Sequence, residues 1–326
     1  MPGPKTHEIS YKHLKDRLDK NTLNEFPNYD EYSIFAQGHD FLIYYDYYKI
    51  WNQRKLDINV HNSILLQEWS FQEFIYNYLD AARGSGAIEN EQVRLFIGPG
   101  YIMHHILDSY THPQIIYYAG DHERDPNNKT WQHGIIENLI DVYMIEQFEK
   151  KNPKKYKVYR DFKINKNDID EKIITTLNES LEKTYAMSRG GEVFKKAIPQ
   201  VESYMKHFKY DRTGIKRIIF DYFDSKLVGT SSFSYHRDSK EVLKYLNLEK
   251  DEWLNPMDCN IKSNKSFLEL YDDALNKGSE IINKLEKLCQ KSTFNKDDVY
   301  DIIPNVASTH GLECGQRCKI KNKKIW

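Results

Sequence analysis

Three side chains that can bind a metal ion recur at a spacing of four residues in one stretch of the chain. They are His104, Asp108 and His112, within the segment GYIMHHILDSYTHP. On an α-helix, each step of four residues turns the side chain by about 40° and advances it by about 6 Å, so the three would form one polar row. Neutral imidazole nitrogens and a carboxylate are donors that suit zinc and its neighbours among the transition metals. The row therefore predicts a metal site.

A second pair of metal-binding residues, His133 and Glu137, follows in a run with helical apolar periodicity. Two facing helices would bring this pair together with the first row. One such pair on a helix is more often solvated than metal-bound, but two linked pairs favour a metal. The apolar neighbours of His104 and His112 favour it further, because a charge is costly to bury without a partner.

The elements that must position these residues are expected to be helices. Apolar residues recur with helical spacing through much of the chain, and alternating strand patterns are scarce. The expected helices lie near residues 61–83, 92–111, 133–150, 168–187, 193–208, 213–227 and 264–290. The sequence therefore predicts an all-α fold.

The overall composition argues against binding through a general electrostatic field. The chain has 326 residues, of which 40% are hydrophobic, and this is enough to bury a sizeable core. It carries 47 basic and 48 acidic residues, for a net charge of −1. No overall field therefore favours nucleic acid or an anionic membrane, and we expect binding at a local site.

The cysteines and the apolar runs indicate the compartment. Four cysteines in the last quarter of a chain of this length do not make a disulfide framework. They are Cys259, Cys289, Cys314 and Cys318. The first residues lack the apolar core of a signal peptide, and no run of about eighteen apolar residues could span a bilayer. We therefore expect a cytoplasmic protein without a transmembrane segment.

A His-Asp doublet, His39-Asp40, offers a different interpretation. HD-domain phosphohydrolases hold their metals with such a doublet together with a distant His and a distant Asp. Here His7 or His13 and a later residue such as Asp141 would complete the set. This interpretation predicts a nucleotide phosphohydrolase, but it leaves the helical rows unexplained, so the longer constellation is preferred.

The stretches GYIMHHILDSYTHP and HGIIENLID together resemble the zinc-dependent phospholipase C family and, more distantly, the S1/P1 nucleases. In that family a His-x-x-x-Asp pair, a further His and a His-x-x-x-Glu pair follow one another in this order. The stretches YLNLEKDEWLNP and KSFLELYDDALNKGSEIINKL are similar to the closing segment of short bacterial members. The resemblance implies one multi-helix domain of the phospholipase C/P1 nuclease type at 1–290, followed by a tail of unknown role at 291–326.

The resemblance also implies a set of ligands for two or three zinc ions. The eight positions that match are His7, Asp40, His61, His104, Asp108, His112, His133 and Glu137. By this resemblance, Asp40, His61 and His104 would hold one ion. Asp108 would bridge that ion to a second one near His7.

The third ion would be held by His112, His133 and Glu137. Family enzymes begin with a Trp whose amine and carbonyl complete the shell of the second ion, whereas no Trp precedes His7 here. Zinc prefers four donors. We therefore expect this second ion, near His7, to be held weakly and the other two to be held tightly. Asp141, one helical turn beyond Glu137, is expected to hydrogen-bond a ligand histidine and fix its tautomer.

The implied activity is metal-dependent hydrolysis of a phosphodiester, and phospholipid head groups are the usual substrates of the family. Metal ions in such a site neutralise the phosphate oxygens and lower the pKa of bound water towards 7. We assign Asp40, as a ligand or a neighbour, the role of general base. Two alternatives stay open: an HD-type nucleotide phosphohydrolase, and a non-catalytic helical module that keeps metal for stability.

Overall fold

A computed structural model of the chain describes residues 3–46, 62–119, 131–153, 155–206, 215 and 239–315. This part of the chain is mostly helical, which confirms the all-α prediction. In chain order the α-helices are α1 (Pro4–Lys15), α2 (Lys20–Asn24), α3 (Phe41–Tyr44), α4 (Phe71–Gly84), α5 (Glu91–Leu95), α6 (Met103–Ala119), α7 (Trp131–Gln147), α8 (Glu171–Tyr185), α9 (Gly190–Met205), α10 (Phe267–Cys289) and α11 (Lys296–Tyr300). Residues 62–68 are also helical.

Shorter elements connect these helices. Segments of 3₁₀-helix occur at Tyr29–Asp40, Ala87–Glu89, Val158–Phe162, Lys166–Asp168 and Ser239–Lys244, and a π-helical segment, Phe96–Ile102, leads directly into α6. Within the described ranges, the named strands are β1 (Trp253–Leu254) and β2 (Lys262–Ser263), which pair in antiparallel fashion. The described helices include none that is long and apolar enough to cross a membrane.

The structure divides two of the expected helices. The helix expected near 61–83 is interrupted between 68 and 71, where Ser70 has a φ of 58°. The one expected near 92–111 becomes α5, the π-helical segment and α6. Pro99 lies in the π-helical segment, and its missing N–H disturbs the regular α-helical hydrogen bonds. The helix expected near 213–227 lies outside the described residues, apart from residue 215.

Helix α6 is buried along most of its length, and it carries polar residues into the core. His104, Asp108 and Thr111 are each no more than 1% exposed, as are the apolar residues Ile106 and Leu107 on the same helix. Helices α1, α7 and α10 and the Tyr29–Asp40 segment all pack against it. The polar row predicted from the sequence therefore lies inside the core.

The described residues after 290 pack against the helices. The backbone N–H of Ser308 donates to the carbonyl of Gln67 at 2.9 Å, and the side chain of Asn255 donates to the carbonyl of His310 at 2.9 Å. The Val306 carbonyl lies 2.7 Å from Nε2 of His105 on α6. This stretch is therefore tied to the helix that carries the polar row.

Candidate metal centre

His104, on α6, is held so that one ring nitrogen faces the other candidate ligands. Its Nδ1 donates a hydrogen bond to the carbonyl of Ala36 at 2.7 Å. Its Nε2 lies 3.3 Å from Oδ2 of Asp108 and 3.9 Å from Oδ2 of Asp40. Metal-binding histidines usually donate their second ring N–H to a carbonyl or carboxylate, which fixes the tautomer. His104 has this arrangement.

The backbone near Gly38 brings Asp40 to this site. Gly38 has a φ of 46°, a left-handed conformation that favours glycine, and a Cβ atom there would lie 2.6 Å from Cγ of His104. The chain therefore passes directly against the His104 ring. Asp40 follows two residues later, and its carboxylate is buried beside the imidazole.

Asp108 faces a different histidine with each of its carboxylate oxygens. Oδ2 faces His104 as described, and Oδ1 lies 3.2 Å from Nε2 of His7. The rings of His7 and His104 are stacked, with their centroids 3.8 Å apart. Donor atoms at about 2.0–2.1 Å from a tetrahedral zinc ion are separated by about 3.3 Å. The spacing around Asp108 therefore matches the distance between neighbouring ligands of a bound zinc ion.

Several polar atoms of this cluster lack an aligned hydrogen bond among the described residues. Both oxygens of Asp108, both ring nitrogens of His7 and Nε2 of His104 are buried without an aligned hydrogen-bond partner, although some lie within ion-pair distance. Buried polar groups are normally hydrogen-bonded, and a buried polar group without a partner is costly. Divalent cations would satisfy both oxygens of Asp108, Nε2 of His104 and one ring nitrogen of His7, so these residues fit the zinc ions implied by the resemblance.

The charges of the cluster act on one another. Burial would lower the pKa of His104, but Asp108 and Asp40 outweigh it and raise that pKa. Burial opposes ionisation of Asp108, but the neighbouring His104 and His7 outweigh it and hold its pKa well below the usual range. Burial lowers the pKa of His7 to about 4, which favours the neutral ring that a metal requires. Burial raises the pKa of Asp40 to about 7 in the metal-free protein, and cations bound nearby would lower it again.

His7 is positioned by contacts at the N-terminus of α1. The backbone N–H groups of Lys5 and Thr6 donate to the carboxylate of Asp141 at 3.1 and 2.8 Å, and the Thr6 hydroxyl donates to it at 2.7 Å. The first N–H groups of a helix have no acceptor within the helix. Asp141, on α7, therefore caps α1 from a different helix.

This arrangement corrects the role expected for Asp141. It was expected to hydrogen-bond a ligand histidine, but its carboxylate instead accepts the three hydrogen bonds from Lys5 and Thr6. The physical reason is that α1 begins directly against α7: a Cβ atom on Gly3 would lie 2.5 Å from this carboxylate. Burial raises the pKa of Asp141 to about 7, although the bonds from Thr6 and Lys5 act in the opposite direction.

A buried ammonium group anchors the same end of α1. Nζ of Lys5 lies 2.6 Å from Glu8, 2.6 Å from Asp161 and 3.2 Å from Glu149. Burial alone would lower the pKa of Lys5, but the charges of Glu8 and Asp161 outweigh it and raise the pKa above its usual value. The charged network holds the turn from which His7 projects.

A second cluster lies at the other end of the row on α6. Nε2 of His112 is 2.9 Å from Nε2 of His133, which is 2.6 Å from Oε1 of Glu137. These contacts, at 2.9 and 2.6 Å, are shorter than the edge of about 3.3 Å in a zinc tetrahedron, so metal binding would move the donors apart by about 0.4 and 0.7 Å. His133 and Glu137 are 29% and 21% exposed. This cluster is therefore open to solvent, unlike the one around Asp108.

Ligand atoms that lie within 4.8 Å of one another form three groups in the described part of the chain. The groups are His7, His104 and Asp108; His39, Asp40 and His104; and His112, His133 and Glu137. Every predicted ligand except His61 falls in one of them, and His61 lies outside the described residues. The preferred interpretation did not assign His39, although its place beside Asp40 in the doublet was a signal for it.

Comparison of the chain with protein-family models, with curated proteins and with solved structures finds no match. The function must therefore be inferred from the residues of the site and their geometry.

Proposed function

We propose that this protein is a zinc-dependent hydrolase of phosphodiester bonds, similar in ligand set and multi-helix fold to the phospholipase C and P1 nuclease families. The observation that carries the proposal is the position of Asp108 between His7 and His104, one oxygen towards each ring, with both oxygens buried and without an aligned hydrogen bond. A carboxylate shared by two cations is a natural component of a site that hydrolyses phosphodiesters with closely spaced metals.

The residues of the site have distinct roles in the proposed reaction. Bound zinc would supply positive charge to the phosphate oxygens and would acidify water. His7, His104 and Asp108 would hold the two buried ions at a fixed separation. Asp40 would accept a proton from the attacking water, since its carboxylate lies beside His104.

The partly exposed cluster indicates where the substrate would enter. The row on α6 runs from the buried His104 to His112, whose partners His133 and Glu137 reach solvent. A phosphate group approaching from solvent would therefore meet this cluster first. A phosphodiester carried on a lipid head group is the substrate class that the family resemblance favours.

The HD-type alternative requires a different set of neighbours. It needs His39 and Asp40 together with His7 or His13 and a distant acid such as Asp141. In the described part of the chain, Asp141 is engaged at the start of α1, and Nδ1 of His13 is hydrogen-bonded to the Tyr271 hydroxyl at 2.9 Å. The doublet meets His104 instead, so the geometry favours the phospholipase C-like set.

One preparation can test the proposal against both alternatives. We would measure zinc content by elemental analysis and assay hydrolysis of phosphatidylcholine vesicles, a chromogenic phosphodiester, single-stranded DNA and nucleoside triphosphates. We expect two or three zinc ions per chain and phosphodiester hydrolysis that is lost in Asp108→Asn and in His133→Ala. Asp80→Asn is the matched control, because Asp80 is exposed and pairs with Lys183 at 3.0 Å.

Each of the other results would point elsewhere. A protein that binds zinc but hydrolyses none of these substrates would be a non-catalytic, metal-stabilised module. Nucleotide hydrolysis that requires His39 but not His133 would indicate the HD-type enzyme. A purified chain that binds no zinc would show the proposal to be wrong.

A further inference from the structure

The two carboxylate oxygens of Asp40 have different neighbours. Oδ2 lies 3.9 Å from Nε2 of His104, on the side of the buried cluster. Oδ1 lies 3.3 Å from Nδ1 of His39, the preceding residue. His39 is fully buried, and its ring meets that of His104 edge-on with centroids 4.5 Å apart. One oxygen of Asp40 therefore faces the cluster, and the other faces a histidine that the family resemblance does not include.

The tautomer of His39 follows from this contact. An ionised carboxylate oxygen can only accept a hydrogen bond, and Oδ1 of Asp40 lies 3.3 Å from Nδ1 of His39. A bare nitrogen lone pair facing a carboxylate oxygen would be repelled, whereas an N–H would be attracted. The hydrogen therefore belongs on Nδ1, which donates to Asp40.

We propose that His39 is a positioning residue for Asp40: its Nδ1–H holds Oδ1 and thereby keeps Oδ2 turned towards His104 and Asp108. The inference rests on the proposed function, because it concerns the zinc ion that Asp40 and His104 would share. Nδ1 of His39 faces Asp40, whereas its Nε2 is buried without an aligned hydrogen-bond partner. A ligand role for His39 through Nε2 is therefore the alternative that the experiment must exclude.

The same backbone segment orients both partners of the site. The carbonyl of Ala36 accepts from Nδ1 of His104 at 2.7 Å, and three residues later His39 contacts Asp40. Gly38 has no Cβ atom, so the backbone can pass directly against the ring of His104. In the segment Ala36–Asp40, the Ala36 carbonyl therefore orients the imidazole of His104, and the imidazole of His39 orients the carboxylate of Asp40.

The test compares two amides that differ only in where they place the N–H. In His39→Asn, the side-chain amide lies near the position of Nδ1, whereas in His39→Gln it lies near that of Nε2. We would measure zinc affinity by competition with a chromophoric chelator, the visible spectrum of the cobalt-substituted protein and the thermal midpoint of the metal-free protein. His105→Asn is the control for general damage, since His105 is an equally buried neighbour that hydrogen-bonds Val306.

We expect His39→Asn to keep the zinc affinity of the unaltered chain, and His39→Gln to weaken it about 10- to 100-fold, the usual cost of losing a partner that orients a metal ligand. The cobalt spectrum of His39→Asn should be unchanged. His105→Asn should lower the thermal midpoint without weakening zinc binding, which separates the positioning effect from loss of packing.

Two results would overturn the inference while leaving the proposed function intact. If neither substitution at His39 weakens zinc binding, the contact with Asp40 does not position it. If both weaken binding and both change the cobalt spectrum, His39 is itself a ligand. Absence of zinc binding in the unaltered chain would overturn the inference and the proposed function together.

Discussion

Removal of the hydroxyl group of Thr6 should loosen the start of α1 and displace His7. The hydroxyl donates to Oδ1 of Asp141 at 2.7 Å, and Thr6 is fully buried. Thr6→Val keeps the shape of the side chain but deletes this donor. Thr6→Ser keeps the donor and deletes only a methyl group, so the two substitutions form a matched pair at one position.

The magnitude follows from the charge of the acceptor. A hydrogen bond to an ionised group contributes about 1.5–3 kcal/mol, so Thr6→Val should lower the free energy of unfolding by about this amount when Asp141 is charged. Loss of one buried methyl group in Thr6→Ser should cost about 0.5–1.5 kcal/mol. Because His7 follows directly, the Val variant should also weaken zinc binding about tenfold, whereas the Ser variant should leave it close to normal.

The effect should depend on pH in a defined direction. Burial raises the pKa of Asp141 to about 7, and the hydrogen bonds from Thr6 oppose that rise. Loss of the hydroxyl raises the folded-state pKa further, so the cost of Thr6→Val grows as the pH rises through about 7. Urea unfolding of the metal-free protein at pH 6 and pH 8 measures this. If Val costs no more than Ser at pH 8, Asp141 does not cap α1 in the way described.

Substitution of His133 by Ala should remove about one zinc ion per chain. It should also lower the thermal midpoint of the zinc-loaded protein, because a metal that binds only the folded state stabilises that state. Unchanged zinc stoichiometry would exclude His112, His133 and Glu137 as a zinc site. A graded chelator titration at equilibrium should first remove the ion between His7 and Asp108. Hydrolysis should fall as this ion leaves and return on addition of zinc. Simultaneous loss of all ions would contradict this order. Acidification should weaken the charged network at the start of α1. Burial would raise the pKa of Glu149, but Lys151, Lys5 and Lys12 outweigh it and lower the pKa from 4.5 to about 2, so the stability it contributes above pH 4.5 is lost as the pH falls towards 2. Glu149→Gln should flatten the pH dependence of urea unfolding over that interval, and an unchanged slope would show that the network contributes nothing there.

The parts of the site that lie on regular helices could be predicted from the sequence. His104, Asp108 and His112 share one face of α6 because the helical repeat places every fourth residue there, and the same holds for His133 and Glu137 on α7. Their apolar surroundings also indicated that these rows turn inward. Local spacing was sufficient for these elements because each helix determines the relative positions of its own side chains.

The parts that depend on contacts between elements could not be predicted in this way. The capping of α1 by Asp141 requires two helices to meet end to side, and residues 6 and 141 are far apart in the chain. The contact of His39 with Asp40 depends on the left-handed turn at Gly38 and on its packing against His104. Neither leaves a periodic pattern, since each is set by the way the chain crosses itself.

These contacts make the cluster around Asp108 a junction between separate elements. Helix α7 carries His133 and Glu137, and one turn later it holds the start of α1 through Asp141. Helix α6 carries the shared row, and the segment at Ala36 fixes His104 from outside. The caps and charged pairs hold the backbones of these buried donors in place. Under the proposed function, bound cations would offset the cost of burying these donors together.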